Sequence, residues 1–173
     1  MAEELKIAEG SKADIYQSLI PQIKAIIAGE TDQVCNMANV AAALKEQFGW
    51  LWIGFYLVKP ALIPTNEADS TELVLGPFQG PLACTRIKKG KGVCGMAWQK
   101  AITIIVDDVE KFPGHIACSS LSRSEIVVPV IRNNNVVGVL DADSELLSHF
   151  DETDKKFLEE IVAGIKFTPF KKV

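Results

Sequence analysis

The sequence lacks an excess of positive charge, a long apolar run and a secretory leader. With 18 Lys and Arg against 22 Asp and Glu, the formal net charge is -4, which offers little to a nucleic-acid backbone. No apolar run approaches the roughly 18 residues that a membrane-spanning helix needs. The N-terminus MAEELKIAEG has no basic segment followed by an apolar stretch. We therefore expect a soluble cytoplasmic protein with neither nucleic acid nor a membrane among its partners.

Cysteine and histidine are scarce, at 4 and 2 residues. The thiols are well separated along the chain: Cys35, Cys84, Cys94 and Cys118. No two of them form a CxxC pair, and His115 and His149 lack the His-x3-His spacing of a zinc site. Because the cytosol keeps exposed thiols reduced, a stabilising disulfide framework is excluded as well. The spacing therefore predicts no metal site, and each cysteine is either inert or catalytic.

What the chain does contain is an ordinary globular composition. It has 173 residues, of which 48% are hydrophobic and 23% are charged, so a sizeable core is available. No linker, repeat or low-complexity tract interrupts the sequence. We expect one domain over residues 1–173, with its core at about residues 12–168 and short tails.

Helical patterns occupy both ends of the chain. Apolar side chains over 15–27 recur at helical spacing and predict a first helix. A second amphipathic helix follows an N-terminal cap at Thr31 or Asp32 and closes at Gly49. The last helix begins at Asp151, which has the sequence pattern of a capping box.

The centre of the chain has the alternation of strands. The run WLWIGFYLV presents two apolar faces, which predicts a strand buried on both sides. Shorter strands are expected at ELVL, PLACTRI and AITIIV, and a helix at VCGMAWQKA. Asn133, Asn134 and Asn135 join SEIVVPVI to VVGVLDA as the turn of a hairpin. The predicted fold class is α+β, with flanking helices packed on a central antiparallel sheet.

Two cysteines lie in segments predicted to be regular structure. Cys35 lies beside the apolar face of the second helix with no basic neighbour, which predicts an inert buried residue. Cys84, in a predicted strand two residues before Arg86, is equally consistent with a core residue and with a redox partner.

The other two cysteines lie where a thiolate can be stabilised or exposed. Cys94 follows the lysines of KKGKG and falls in the first turn of the next helix, where unpaired N–H groups favour an anion. On these local grounds it is the most acidic thiol. Cys118 lies in a loop three residues after His115 and is either a reactive thiol or a bystander. His115 itself is expected to be an exposed loop residue or a hydrogen-bond donor.

Acidic residues continue what begins as a buried strand. Along VVGVLDADS, Val137, Val139, Asp141 and Asp143 fall on one face, and Glu125 begins the neighbouring hairpin strand. Either the strand has reached solvent, or Asp141 caps a turn, or the strands carry a cluster of three carboxylates. Such a cluster would bind a cation such as an amino group, or would hold one acid protonated at neutral pH as a proton donor.

Five strings carry a resemblance to a known family: GFYLV, GPFQGPLACTRI, GKGVCG, HIACSSLSRSEIVVPV and GVLDADS. In this order and spacing, over 14–165, they resemble the free methionine-(R)-sulfoxide reductases, which are small stand-alone GAF-domain enzymes. The resemblance implies a GAF-like sheet, a homodimer and no bound cofactor. It also implies that the substrate is free methionine sulfoxide and that thioredoxin supplies the electrons.

The resemblance assigns a role to each of three thiols. It implies that Cys118 attacks the sulfoxide sulfur and that Cys84 resolves the resulting sulfenic acid as a disulfide. Cys94 is given a supporting or alternative resolving role. Local electrostatics favours Cys94 as the attacking thiol instead; we follow the family, because a thiolate that cannot reach the sulfur contributes nothing.

The implied chemistry suits the acidic residues. A sulfoxide oxygen is a poor leaving group until it is protonated, so Glu125 or Asp143 would donate a proton as Cys118 attacks. The remaining carboxylates, with Asp141 among them, would pair with the substrate ammonium. This pairing would explain a preference for the free amino acid over methionine in a polypeptide.

Aromatic and backbone groups are expected to hold the rest of the substrate. Trp52 and Tyr56, which as aromatics are either core or pocket residues, would flank the methyl group. Backbone N–H groups of Ile116, Ala117 and Cys118 would hold the substrate carboxylate. Two other readings stay open: a non-catalytic GAF sensor of a small molecule, and a peroxide-sensing redox protein that uses the same cysteines.

Overall fold

The computed structural model describes residues 4–64, 70–115 and 119–166. The helices are α1 (Lys12–Ile27), α2 (Gln33–Phe48), α3 (Gly92–Lys100) and α4 (Glu152–Gly164). The strands are β1 (Trp52–Pro60), β2 (Thr71–Gln79), β3 (Arg86–Ile87), β4 (Ile104–Val106), β5 (Ser124–Arg132) and β6 (Asn135–Ser144). A short 3-10 helix covers Val109–Lys111. Among the described residues, no helix combines the length and the apolar character that spanning a membrane requires.

The strands form one antiparallel sheet in the order β3-β2-β1-β6-β5-β4. Helices α2 and α4 pack on one face of this sheet, and α1 packs across both of them. Helix α3 covers the other face, where it contacts β5 and β6. The α+β fold class that the sequence predicts is therefore confirmed.

The predicted ends of three helices are formed by local hydrogen bonds. The Asp32 side chain accepts hydrogen bonds from the first turn of α2, and Gly49 ends that helix in the left-handed region with φ 66°. A capping box between Asp151 and Asp154 begins α4 as predicted. Helix α1 also begins with a capping box, at Ser11, which the sequence pattern did not single out.

The hairpin that joins β5 to β6 is also confirmed. Asn133 and Asn134 have positive φ values of 50° and 62°, which asparagine tolerates better than most residues. Asn135 is the first residue of β6 rather than part of the turn. The hairpin matters for function, because its register aligns the far ends of β5 and β6, where the acidic residues lie.

Two predictions about cysteine surroundings are wrong. Cys35 is exposed, because the buried stripe of α2 runs through Met37, Val40 and Leu44, and Cys35 lies on the opposite side. Cys84 lies in the loop between β2 and β3, since PLACTRI pairs as a strand only at its end, where Arg86 and Ile87 meet β2.

A buried polar contact fastens α1 to α4. The hydroxyl of Tyr16 donates a hydrogen bond of 2.9 Å to Asp154 Oδ1, and Lys12 Nζ pairs with Asp154 Oδ2. Both Tyr16 and Asp154 are 0% exposed. Burial, with Asp154 close by, raises the pKa of Tyr16 above its ordinary value. The contact therefore joins a neutral hydroxyl to a buried carboxylate that has one cationic partner.

Replacing Tyr16 by Phe tests this contact. We expect Tyr16→Phe to lower the free energy of unfolding by about 2 kcal/mol, since it leaves a buried carboxylate oxygen without its donor. Urea denaturation measures the loss. The exposed Lys24–Glu160 pair provides the control, because Glu160→Gln should change stability by less than about 0.5 kcal/mol. Equal losses in the two variants would contradict the assignment.

Candidate functional site

Acidic side chains from β5 and β6 converge on the face of the sheet that α3 covers. Glu125 of β5 lies directly opposite Asp143 of β6, and Asp141 lies opposite Val127. Residues that face each other across antiparallel strands point to the same side, so the three carboxyl groups share one face. Ser122 donates a hydrogen bond to Asp143 Oδ1, and His115 Nε2 lies 3.6 Å from Glu125 Oε2.

The thiol of Cys94 joins this group from the first turn of α3. One ligand atom from each of Cys94, Glu125 and Asp141 lies within 4.8 Å of the others. The three residues are only 4%, 5% and 7% exposed. These two carboxylates and one thiol are the described residues that could hold a metal ion, although no local spacing in the sequence indicates them. We call Cys94, Glu125, Asp141 and Asp143 the acidic cluster.

Burial and mutual repulsion disfavour the charged forms of the acids. Burial raises the pKa of Glu125 well above its ordinary value, and repulsion from Asp143 raises it further. Burial and repulsion from both other acids likewise raise the pKa of Asp141. Burial raises the pKa of Asp143 to about 6, although the Ser122 hydrogen bond and His115 act in the opposite direction. Part of the cluster is therefore protonated near neutral pH.

The prediction that Cys94 is the most acidic thiol is wrong. Its place in the first turn of α3 is as predicted, but burial raises the pKa of Cys94 well above its ordinary value, and Asp141 and Glu125 raise it further. The lysines that precede the helix do not offset these effects. Lys89 lies over the ring of Trp98, with 5.3 Å from Nζ to the ring centroid.

Aromatic side chains of β1 form a wall beside the acids on the same face of the sheet, because Trp52 pairs with Asp143 across β1 and β6. The rings of Trp52 and Tyr56 stack with centroids 5.9 Å apart. Trp52 Nε1 donates a hydrogen bond of 3.1 Å to the carbonyl oxygen of Pro81, and the Tyr56 hydroxyl donates one of 3.0 Å to that of Cys84. The two aromatics thus hold the loop that carries Cys84 against the sheet.

Glycines make room for Trp52, and sequence reasoning missed them. Gly54 lies opposite Asp141, and a Cβ at Gly54 would come within 2.5 Å of the Trp52 ring and 2.4 Å of Phe78 Cβ. A Cβ at Gly80 would come within 2.8 Å of the Trp52 ring. A glycine inside a strand is a signal of close approach, so GFYLV contained the information.

The aromatic wall and the acidic cluster enclose a cleft with an empty volume of about 570 Å³, counting space that opens to solvent. Ser122 and Lys91 also line it, and the sequence pattern singled out neither as a cleft residue. Ala83 lines the cleft, and the half-buried Cys84 follows it in the loop. His115 lies on the wall with its side chain 15% exposed, so it is less exposed than a surface-loop residue.

Three predicted site residues, Ile116, Ala117 and Cys118, lie outside the described residues. The residues on either side of this gap, His115 and Ser119, line the cleft. The roles predicted for Ile116, Ala117 and Cys118 stay predictions.

Comparison with known proteins places the chain in a family. The family model of the GAF domain matches residues 36–168. GAF domain-containing protein A of Dictyostelium discoideum is 58% identical over 162 residues, which cover 94% of this chain and 97% of that protein. The free methionine-R-sulfoxide reductase of Escherichia coli is 41% identical over 157 residues, 90% of this chain and 89% of that protein.

A solved structure agrees with the sequence comparisons. The free methionine-R-sulfoxide reductase of Neisseria meningitidis, determined in complex with its substrate, superposes with a TM-score of 0.86 at 55% identity. The superposition covers 94% of this chain and 93% of that one. As the sequence motifs indicate, the chain belongs to the GAF-domain family of free methionine-(R)-sulfoxide reductases.

Proposed function

We propose that this protein reduces free L-methionine-(R)-sulfoxide to methionine, through a cysteine sulfenic acid and an intramolecular disulfide. The observation that carries the proposal is that the buried acidic cluster and the aromatic rings of Trp52 and Tyr56 lie side by side in one cleft. Such a cleft suits a small zwitterion that has an ammonium group at one end and a methylated sulfur at the other. The relative from Neisseria meningitidis is named for this reaction and was determined with its substrate.

The substrate ammonium would pair with the acidic cluster. Glu125 and Asp141 are almost fully buried, and a buried carboxylate without a counter-charge is unfavourable. A primary ammonium supplies both the positive charge and three N–H donors. An amide nitrogen, as in a polypeptide, supplies neither the charge nor the extra donors, so the cluster would select the free amino acid.

The aromatic wall would hold the other end of the substrate. Trp52 and Tyr56 offer apolar ring surface beside the cluster, which suits the methyl group on the sulfur. Backbone N–H groups of Ile116, Ala117 and Cys118 would bind the carboxylate. With three groups of the substrate held, the sulfur would have a fixed position relative to the attacking thiol.

The first chemical step oxidises one thiol and reduces the sulfoxide. The Cys118 thiol releases its proton to solvent and its sulfur attacks the sulfoxide. The S–O bond of the substrate breaks as an S–O bond to Cys118 forms, so the oxygen ends in a Cys118 sulfenic acid. Methionine leaves. The sulfoxide oxygen gains a proton during this step, and Glu125 or Asp143 on the cleft wall would donate it.

The second step forms the disulfide. The Cys84 thiol attacks the sulfenic sulfur, an S–S bond forms, and the hydroxyl leaves as water. The structure favours Cys84 over Cys94 as the resolving thiol, because Cys84 is half-buried in a loop whereas Cys94 is 4% exposed beneath the cluster. A disulfide must be reached by an external dithiol before it can be reduced.

The proposal includes partners that the family resemblance suggests. Thioredoxin would supply the dithiol that reduces the Cys84–Cys118 disulfide, becoming oxidised itself. The enzyme would act in the cytoplasm as a homodimer. No bound cofactor takes part in the proposed cycle.

Removing one carboxylate tests substrate recognition. We expect Asp143→Asn to keep the fold and to lower kcat/KM by at least about tenfold, since the variant loses a charge that holds the ammonium or a proton donor. A higher KM would indicate lost ammonium binding, and a lower kcat would indicate lost proton donation. Glu145→Gln, an exposed acid just after β6, is the control and should retain activity. Near-normal constants for Asp143→Asn would contradict the carboxylate role.

Single-turnover measurements of cysteine variants test the thiol roles. Cys118→Ser should release no methionine, because no sulfenic acid can form. Cys84→Ser should release about one methionine per chain and then stall or slow, with a sulfenic acid on Cys118. Cys35→Ser is the control and should turn over, because Cys35 is exposed on α2 outside the cleft.

The measurement is methionine released in a quenched assay, with a sulfenic-acid trap and mass spectrometry to locate the adduct. A full burst from Cys118→Ser with the adduct on Cys94 would overturn the assignment of the attacking thiol.

Modified substrates test the role of the ammonium. N-acetyl-methionine-(R)-sulfoxide should show a kcat/KM at least about a hundredfold below that of the free amino acid, since its amide leaves the buried acids unpaired. The N-methyl derivative, which keeps the positive charge, should lose much less. If the acetylated and free forms react equally, the cluster does not recognise the ammonium.

A further inference from the structure

The acidic cluster brings together ligand atoms of two chemical kinds. Sγ of Cys94 comes from α3, and carboxylate oxygens come from Glu125 on β5 and Asp141 on β6. The three atoms lie within 4.8 Å of one another, and all three residues are buried. The residues lie far apart in sequence, on three elements whose packing is set by the sheet register.

A second observation, an unpartnered carboxylate oxygen, suits a cation at this place. Asp141 Oδ1 is fully buried and has no hydrogen-bond partner in the part of the chain that the structure describes. A buried carboxylate oxygen without a donor is costly. The ring nitrogen of His115, Nε2, lies 3.6 Å from Glu125 Oε2.

We propose that Cys94, Glu125 and Asp141 bind a divalent cation of the zinc class. A thiolate with two carboxylates suits a borderline ion such as Zn²⁺, whereas Mg²⁺ and Ca²⁺ take oxygen ligands. Three protein ligands leave one position of a tetrahedral ion open toward the cleft. On binding, the S–H bond of Cys94 breaks and a metal–sulfur bond forms. The thiol proton, and any proton held by Glu125 or Asp141, goes to solvent.

The ion occupies the same carboxylates that the substrate ammonium would use. Metal and substrate therefore exclude each other, and a zinc-class ion is a competitive inhibitor rather than a cofactor. The inference that metal and substrate compete rests on the proposed function, whereas the inference that the protein binds a metal does not. The sequence prediction of no metal site followed from the absence of local ligand pairs, and the site assembles only through the fold.

Metal binding is measured without any turnover. Reduced protein, stripped with a chelator, is titrated with Zn²⁺ in equilibrium dialysis, and with Cd²⁺ while the ultraviolet thiolate-to-metal absorption is recorded. We expect one ion per chain, with affinity at least about tenfold weaker in both Cys94→Ser and Asp141→Asn. The thiolate absorption should be lost in Cys94→Ser and kept in Asp141→Asn. Circular dichroism of each variant confirms that it is folded.

The other thiols provide matched controls. Cys35→Ser and Cys84→Ser should bind the ion as the unmodified protein does, with the same absorption. The proposal is overturned if no stoichiometric binding occurs, or if the absorption persists in Cys94→Ser and is lost in Cys84→Ser or Cys118→Ser. Because none of these readouts involves sulfoxide reduction, an inactive protein that binds Zn²⁺ would contradict the proposed function and support the metal site.

Competition tests the shared use of the carboxylates. Saturating free methionine sulfoxide, added to the Cys118→Ser variant to prevent turnover, should raise the apparent Kd for Zn²⁺ at least about tenfold. An unchanged Kd would overturn the claim that metal and substrate exclude each other.

Discussion

Crowding of three carboxyl groups beside a buried thiol is the constraint on which the rest of this molecule depends. At an effective dielectric constant of about 20, two unit negative charges 4.8 Å apart repel by about 3.5 kcal/mol, several times the thermal energy. Ionisation of both Glu125 and Asp141 is therefore unfavourable without a cation beside them. They keep a proton or take up a cation, and both outcomes suit the proposed binding of an ammonium group and the proposed protonation of the sulfoxide oxygen.

The fold keeps the carboxyl groups close together because the two faces of the sheet differ: one carries the large apolar core and the other carries the cleft. One face of the sheet carries α2 and α4 on a large apolar core, fastened by the Tyr16–Asp154 contact. The other face carries α3, the aromatic wall and the acids. Because β5 and β6 are buried over most of their length and pair in a hairpin, the register that sets Glu125 against Asp143 is strongly specified. The free energy gained by burying apolar side chains on one face offsets the cost of crowding acids on the other.

Local sequence patterns predict correctly the structural features that depend on a single segment of the chain. The caps of α2 and α4, the asparagine turn, and the alternation that places Asp141 and Asp143 on one face all follow from residues close together in the sequence. Cys94 shows where local reasoning ends. Its helix position favours a thiolate, but the acids that raise its pKa come from β5 and β6, which only the fold brings near.

The dependence on contacts between distant segments also explains most of the other differences between the sequence predictions and the structure. Cys35 is exposed because the buried stripe of α2 runs through Met37, Val40 and Leu44, and Cys35 lies on the opposite side of the helix. Cys84 lies in a loop because only the end of its segment pairs with β2. Gly54 is required by the Trp52 ring, a contact that depends on side-chain orientation. The zinc-class site likewise depends on distances across three elements.

The proposed function requires that this cleft couple recognition of one sulfoxide diastereomer to oxidation of two thiols. The most direct measurement mixes the fully reduced protein, without any external reductant, with each purified diastereomer of free methionine sulfoxide and counts thiols and methionine. The R form should yield one methionine per chain with the loss of two thiols, and the S form should yield neither. Equal reaction of both diastereomers, or thiol loss with peroxide alone and none with the sulfoxide, would contradict the proposed function.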